Sequence, residues 1–134
     1  MARKYKILIV DDVPKNIQIV ANFLGDQEYE ISYATNGVEA LGHISENCFD
    51  LVLLDLYLEG PNGFELLGDI KREYPDLPVI IVTAYDNFAD DPRLSGASGY
   101  VLKRTDLGGL KHRVDDVMRN REASPVKRAT WTHL

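Results

Sequence analysis

The stretch FDLVLLD, residues 49–55, decides how this chain is read. Leu51–Leu54 is an unbroken apolar run, too short for a helix and without the alternation of a half-exposed strand. Such a run predicts a strand, Phe49–Leu54, covered on both faces, which is the environment of a parallel sheet. It stops abruptly at a carboxylate, Asp55. Two other runs have the same form. Tyr5–Val10 (YKILIV) ends in Asp11-Asp12, and Pro78–Val82 (PVIIV) ends in Thr83. Glu30–Tyr33 reads as a shorter alternating strand, and Gly99–Leu102 as a fifth, followed by Lys103.

The intervals between these strands carry helical spacing. Pro14 suits a first helical turn, with Ile17, Val20, Ala21 and Leu24 on one stripe and Gly25 where the helix stops. Asn36-Gly37 makes a turn before a helix carrying Val38, Leu41 and Ile44. Gly60–Gly63 reads as loop, and Phe64–Tyr74 as a helix with Leu67, Ile70 and Tyr74 on one side. Leu107, Leu110, Val114 and Val117 mark the last helix, with Asp106 as its predicted N-cap. The segment Ala84–Ser95 breaks the pattern. Pro92 lies inside it, and Phe88 and Leu94 share no helical face, so the fourth helix is expected to be short or irregular. Strands alternating with helix-length segments predict a parallel α/β sheet with right-handed crossovers and helices on both faces. The domain is expected over residues 1–120, with 121–134 a flexible tail or linker stub, since periodicity is lost there.

Bulk properties narrow the function. The 134 residues are 45% apolar and carry a net charge of −6. That balance repels phosphate backbones, so no direct nucleic-acid binding is expected, and it favours a cation as ligand. No run is long enough to cross a membrane, and a cytoplasmic setting follows from the single cysteine. Cys48 reads as a small apolar residue before the third strand rather than a reactive thiol. His43, His112 and His133 lie on two helices and the tail, and are expected to be solvated.

In open parallel sheets, ligands gather at the carboxyl ends of the strands. With strand order 2-1-3-4-5, the first and third strands are neighbours, and Asp11, Asp12 and Asp55 converge. Three close carboxylates raise one another's pKa, and a hard divalent cation relieves the conflict. Thr83 and Lys103 on the next two strands complete a set able to hold a phosphoryl group, with Asp55 as nucleophile. The competing explanation, that Asp and Thr merely build turns after strands, accounts for one such residue and not for the set.

ILIVDD (7–12), LVLLDLYLEGPNG (51–63), VIIVTA (79–84) and GASGYVLK (96–103) together resemble the receiver domains of two-component response regulators. The similarity runs from about Tyr5 to Met118. It implies a flavodoxin-like (βα)5 three-layer fold of order 2-1-3-4-5. It also implies Mg²⁺, with Mn²⁺ as an alternative, held by Asp11, Asp12, Asp55 and the carbonyl of Tyr57. Asp55 would be the phosphoacceptor, Lys103 the phosphate contact, and Thr83 and Tyr100 the switch pair. The resemblance implies a sensor histidine kinase or histidine phosphotransfer protein as donor. A downstream protein would dock on the face of the fourth helix, fifth strand and fifth helix, and homodimerisation is left open. The chain would be a phosphoacceptor switch catalysing only its own phosphorylation and dephosphorylation.

Four features depart from that family's pattern. Arg104 stands where a proline is usual after the lysine, commonly behind a cis bond; a non-proline cis bond costs about 2.5–4 kcal/mol, and the sequence leaves the isomer open. Glu59 replaces another proline and is expected to face solvent. The stretch between Thr83 and Lys103 contains Pro92. Tyr57 and Tyr85 follow Asp55 and Thr83 by two residues, where bulky rings would hinder hydrolytic water and lengthen the phosphoryl lifetime. A phosphohydrolase of the haloacid-dehalogenase type would need an acid at Tyr57. A flavodoxin-like FMN module would need a Ser/Thr/Gly-rich loop where Asp11-Asp12-Val13-Pro14 stands. A pseudo-receiver, binding protein partners without phosphorylation, is the remaining alternative.

Overall fold

Leu51–Leu54 forms the middle strand of a five-stranded sheet, β3, paired in parallel with β1 (Tyr5–Val10) on one side and β4 (Val79–Thr83) on the other. The edges are β2 (Tyr29–Ala34), on β1, and β5 (Gly99–Leu102), on β4, so the order is β2-β1-β3-β4-β5, as expected. This computed structural model describes residues 4–25, 28–58 and 62–123.

The period-two alternation of strands sorts the apolar residues into two cores. Leu8, Val10, Val52, Leu54, Val79 and Ile81 face one side, where they meet Ala40 and Ile44 of α2 (Gly37–Glu46) and Phe64, Leu67 and Ile70 of α3 (Asn62–Glu73). Ile7, Ile9, Leu51, Leu53, Ile80 and Val82 face the other. There they meet Ile17, Val20 and Leu24 of α1 (Pro14–Leu24) and Leu110, Val114 and Met118 of α4 (Leu110–Ala123). The continuous apolar runs are thus explained: every residue of β3 and β4 is buried.

Helix ends follow local chemistry. Pro14 opens α1, and Gly25 closes it at φ 77°, a left-handed conformation that suits glycine, with its N–H bonded to the Ala21 carbonyl. Asn36 caps α2 by accepting from Glu39 N–H at 2.8 Å, and the Glu39 carboxylate reaches back to the Thr35 N–H at 2.8 Å. Val38, expected on the buried stripe, is 86% exposed; Ile44 is buried as expected and Leu41 packs against the core, while Ala40 takes the inward place of Val38. The sequence spacing allowed either stripe, and the small Ala40 packs closer to the sheet.

The fourth helix is short and irregular, as expected: between β4 and β5 the chain makes a turn at 87–90 and one 3₁₀ turn, Pro92–Leu94, capped by the Asp91 side chain. Other expectations are corrected. Asp106 does not cap the last helix with its side chain. It accepts from Leu102 N–H at 3.3 Å, and a 3₁₀ turn at Leu107–Gly109 precedes α4. Cys48 is exposed; the buried residues ahead of β3 are Phe49 and Asp50. Arg121, read as tail, belongs to α4. Its guanidinium donates to the Asp50 carbonyl at 2.7 Å and lies 3.6 Å from the Asp50 carboxylate, which also accepts from Lys6 N–H at 2.8 Å. The expected tail from 124 onward, with His133, lies outside the described residues.

Candidate functional site

Register fixes the site. The Asp55 N–H bonds to the Val10 carbonyl at 3.0 Å, and the Asp11 N–H to the Ala34 carbonyl at 3.1 Å, so the ladders continue one residue past the strands. Both carboxylates are thereby delivered to the carboxyl edge of the sheet, buried, with Asp11 2% and Asp55 8% exposed. Across β4, the Lys103 N–H bonds to the Thr83 carbonyl at 2.8 Å, and the side chain reaches back over the strand ends. Its ammonium donates to Asp11 Oδ2 at 2.6 Å and to Asp55 Oδ2 at 2.8 Å.

The remaining carboxylate oxygens fold onto the backbone. Asp11 Oδ1 accepts from Val13 N–H at 3.0 Å, and Asp55 Oδ1 from Tyr57 N–H at 3.2 Å. Thr83, wholly buried, accepts from Tyr85 N–H at 3.4 Å through its hydroxyl oxygen. Burial raises the Asp55 carboxyl above the ordinary carboxylate value; the Lys103 hydrogen bond and charge and the Tyr57 N–H oppose that rise, and the Asp11 charge adds to it. Burial pulls the Lys103 ammonium down, but its bonds to Asp11 and Asp55 outweigh this, and its pKa is raised. Lys103 stays charged.

The expected meeting of three acids differs from what is observed. Asp11 and Asp55 come together, while Asp12 is half-buried, and among the described residues no three acids are grouped to hold a metal ion. The Lys103 ammonium bonds to both buried carboxylates and offsets part of their charge. Two carboxylates against one ammonium still leave an excess negative charge in an all-oxygen donor set, which in kind fits a hard divalent cation.

Tyr57 and Tyr85, expected two residues beyond the key side chains, do meet, with ring centroids 4.5 Å apart. Tyr57 also lies 6.0 Å from Phe88, which packs edge-on against Phe64 at 5.3 Å. Arg93, held by Asp91 at 2.7 Å, sits 3.9 Å over the Phe64 ring. The Tyr100 hydroxyl donates to the Tyr85 carbonyl, and burial raises its pKa. No cis peptide occurs among the described residues, so the Lys103–Arg104 bond, which the sequence leaves open, is trans; Glu59 lies outside them. His43 is half-buried on α2, and His112 is 81% exposed beside Asp116, both away from the site.

Sequence reasoning missed Phe88 and Arg93, whose contacts depend on the irregular chain path after β4. It also missed Gly63, where an added Cβ would stand 2.5 Å from the Asp55 carbonyl oxygen and from the Leu56 Cα. Only glycine lets the start of α3 approach the Asp55 backbone so closely. The GPNG turn signal was visible; the close approach was not.

Comparison with known proteins agrees with this geometry. The model of the response regulator receiver domain matches residues 7–115. The transcriptional regulatory protein ZraR of Klebsiella oxytoca is 37% identical over 107 residues, which are 78% of this chain and 24% of ZraR. The heme response regulator HssR of Staphylococcus haemolyticus is 34% identical over 116 residues, 85% of this chain and 51% of HssR. The chain thus spans about half or less of these relatives' length. The response regulator TrrA of Thermotoga maritima, solved in complex with Mg²⁺-BeF, superposes with a TM-score of 0.78 at 34% identity, covering 84% of this chain and 98% of TrrA. TrrA has also been solved in complex with the histidine kinase ThkA. A parallel sheet of order 2-1-3-4-5, acids and a lysine gathered at its carboxyl edge, and these matches lead to one assignment: the chain belongs to the response regulator receiver domain family, the receivers of two-component systems.

Proposed function

We propose that this receiver accepts a phosphoryl group on Asp55 from a phosphohistidine of a sensor histidine kinase or a histidine phosphotransfer protein. The observation that carries this reading is the Lys103 ammonium bridging Asp11 at 2.6 Å and Asp55 at 2.8 Å at the ends of three different strands. In the transfer, an Asp55 carboxylate oxygen forms a bond to phosphorus as the phosphorus–nitrogen bond of the donor breaks, and the imidazole nitrogen keeps the bonding pair. Lys103, anchored on both acids, neutralises charge on the phosphoryl oxygens. Thr83 offers its hydroxyl to the same group, and Tyr100 responds as the second half of the switch.

Mg²⁺, when bound, supplies charge neutralisation and orientation of the phosphoryl oxygens. Asp11, Asp12, Asp55 and the Tyr57 carbonyl are the residues that would hold it, which requires Asp12 to join the two acids already together. The Mg²⁺-BeF complex of TrrA and its complex with ThkA support both the cation and the kind of donor. The proposal places the receiver over residues 1–120, with α4 running on to Ala123, in the cytoplasm. Among the described residues no helix is long and apolar enough to cross a membrane.

Incubation with acetyl phosphate and MgCl₂, read by intact mass, tests the reading. A gain of about 80 Da is expected, absent in Asp55→Asn and in EDTA. A chain that never gains that mass is a pseudo-receiver. That second reading draws on Arg104, which follows Lys103 where the family usually has proline.

A further inference from the structure

Arg104, the residue that stands in place of proline after Lys103, has no acid partner among the described residues. Most other described arginines are tied to an aspartate: Arg72 to Asp69, Arg93 to Asp91, Arg119 to Asp116 and Arg121 to Asp50. The acid nearest Arg104 in the sequence, Asp106, turns instead to the Leu102 N–H at 3.3 Å and the Thr105 hydroxyl at 3.2 Å. Arg104 is exposed, and its backbone stands one residue, about 3.8 Å, beyond Lys103. The Lys103 ammonium is in turn 2.8 Å from Asp55.

Lys15 repeats the arrangement after β1. It is exposed in the first turn of α1, four residues beyond Asp11, and it too has no acid partner among the described residues. A cation in that turn opposes the helix dipole, and no acid there offsets it, so helix stability does not account for Lys15. α1 packs against the 3₁₀ turn Leu107–Gly109, which places the loops carrying Lys15 and Arg104 on one flank of the sheet's carboxyl edge.

Electrostatics gives this flank a task. The chain has a net charge of −6, and the carboxyl edge sets Asp11, Asp12 and Asp55 against Lys103. A phosphoryl donor is itself an anion, and a field of like sign slows its approach. We infer that Lys15 and Arg104 are steering residues, a cationic flank that draws the doubly charged phosphoryl group of a small donor toward Asp55. This rests on the reading of Asp55 as phosphoacceptor and names the residues that set the rate of encounter. A unit cation about 10 Å from a dianion in water raises encounter about threefold at low salt, and hardly at all at about 0.5 M. The energy follows the product of the charges, so the gain for a singly charged donor is only the square root of that.

Second-order rate constants for mass gain, from time courses of intact mass in MgCl₂ at neutral pH, test the flank with two donors. Acetyl phosphate is doubly charged there, and phosphoramidate singly. Arg104→Gln and Lys15→Gln are each expected to slow acetyl phosphate about threefold at low salt, and the double variant about ninefold. With phosphoramidate the double variant is expected to lose only about threefold. Both losses should fall below about twofold in 0.5 M NaCl. Arg104→Lys, which keeps the charge, is expected to react at the wild-type rate. Arg113→Gln removes another cation without an acid partner, one whose side chain lies over Gly99 at the start of β5, and should change neither rate. Unchanged rates in the double variant, equal losses with the two donors, losses that persist in salt, or an equal loss in Arg113→Gln each overturn the flank and leave the acceptor reading standing. No mass gain in the wild type overturns the acceptor reading and the flank with it.

Discussion

The two halves of the sheet's carboxyl edge are held by different forces. On the β1–β3 side, backbone ladders run past the strand ends, and buried charges are locked by bonds of 2.6 and 2.8 Å to one ammonium. On the β4–β5 side, residues 84–95 are held by rings, one 3₁₀ turn and an exposed ion pair. The first arrangement is stiff because strand register determines it. The second is adjustable because each support is worth little alone. The two buried carboxylates and their ammonium sit on the stiff side, and the segment with the weaker supports lies directly beside it.

The largest expected effect comes from removing the charge that holds the stiff side. Lys103→Ala leaves Asp11 and Asp55 facing each other and should lower stability by about 3–5 kcal/mol, measured by urea unfolding at pH 7. The sign of its pH dependence is fixed by burial. Folded Asp55 takes up its proton at a higher pH than the unfolded chain, so its contribution is fully present below the ordinary carboxylate pKa and is lost as pH rises through the raised one. The variant's deficit should therefore shrink toward pH 4; a deficit independent of pH would show that charge is not what Lys103 manages. Next in size is Arg121→Ala, which strips the buried Asp50 of its cation and should cost about 2 kcal/mol by the same measurement.

Effects on the adjustable side should be smaller. Phe88→Ala is expected to cost about 1–2 kcal/mol, since Phe88 is half-buried, and to leave the unfolding slope unchanged. A cost equal to that of Lys103→Ala would erase the contrast between the two sides. Smallest is the lifetime effect. Tyr57→Asn combined with Tyr85→Ala should shorten the half-life of the phosphorylated form by about threefold, below 1 kcal/mol in barrier, by opening a path for water. An equal or longer half-life in the double variant would mean that the rings do not restrict hydrolysis.

The stiff side was legible in the sequence, and the adjustable side was not. Leu51–Leu54 followed by Asp55, and Ile7–Val10 followed by Asp11, are patterns in which neighbouring residues determine the outcome, because a doubly covered strand must end where the charge begins. Lys103 could be placed on the rim for the same reason. Its bridging of Asp11 and Asp55 could not, since that depends on how a flexible side chain settles among charges drawn from three strands. Val38 failed because two stripes of one helix were equally apolar in spacing. Pro92 correctly signalled an irregular fourth helix, yet nothing local says that Phe88 will lie between Tyr57 and Phe64. Arg121 was lost to the tail because its partner, Asp50, is 71 residues away.

Asp50 and Asp55 stand at opposite ends of β3, five residues and about 16 Å apart along the strand. Arg121 therefore moors the final turn of α4 at the sheet's far rim, on the side away from Asp55. A linker, dye or surface tether joined after Ala123 would start from that mooring. A sensor chip prepared in this way would present the rim that carries Asp11, Asp55 and Lys103 to the flowing solution.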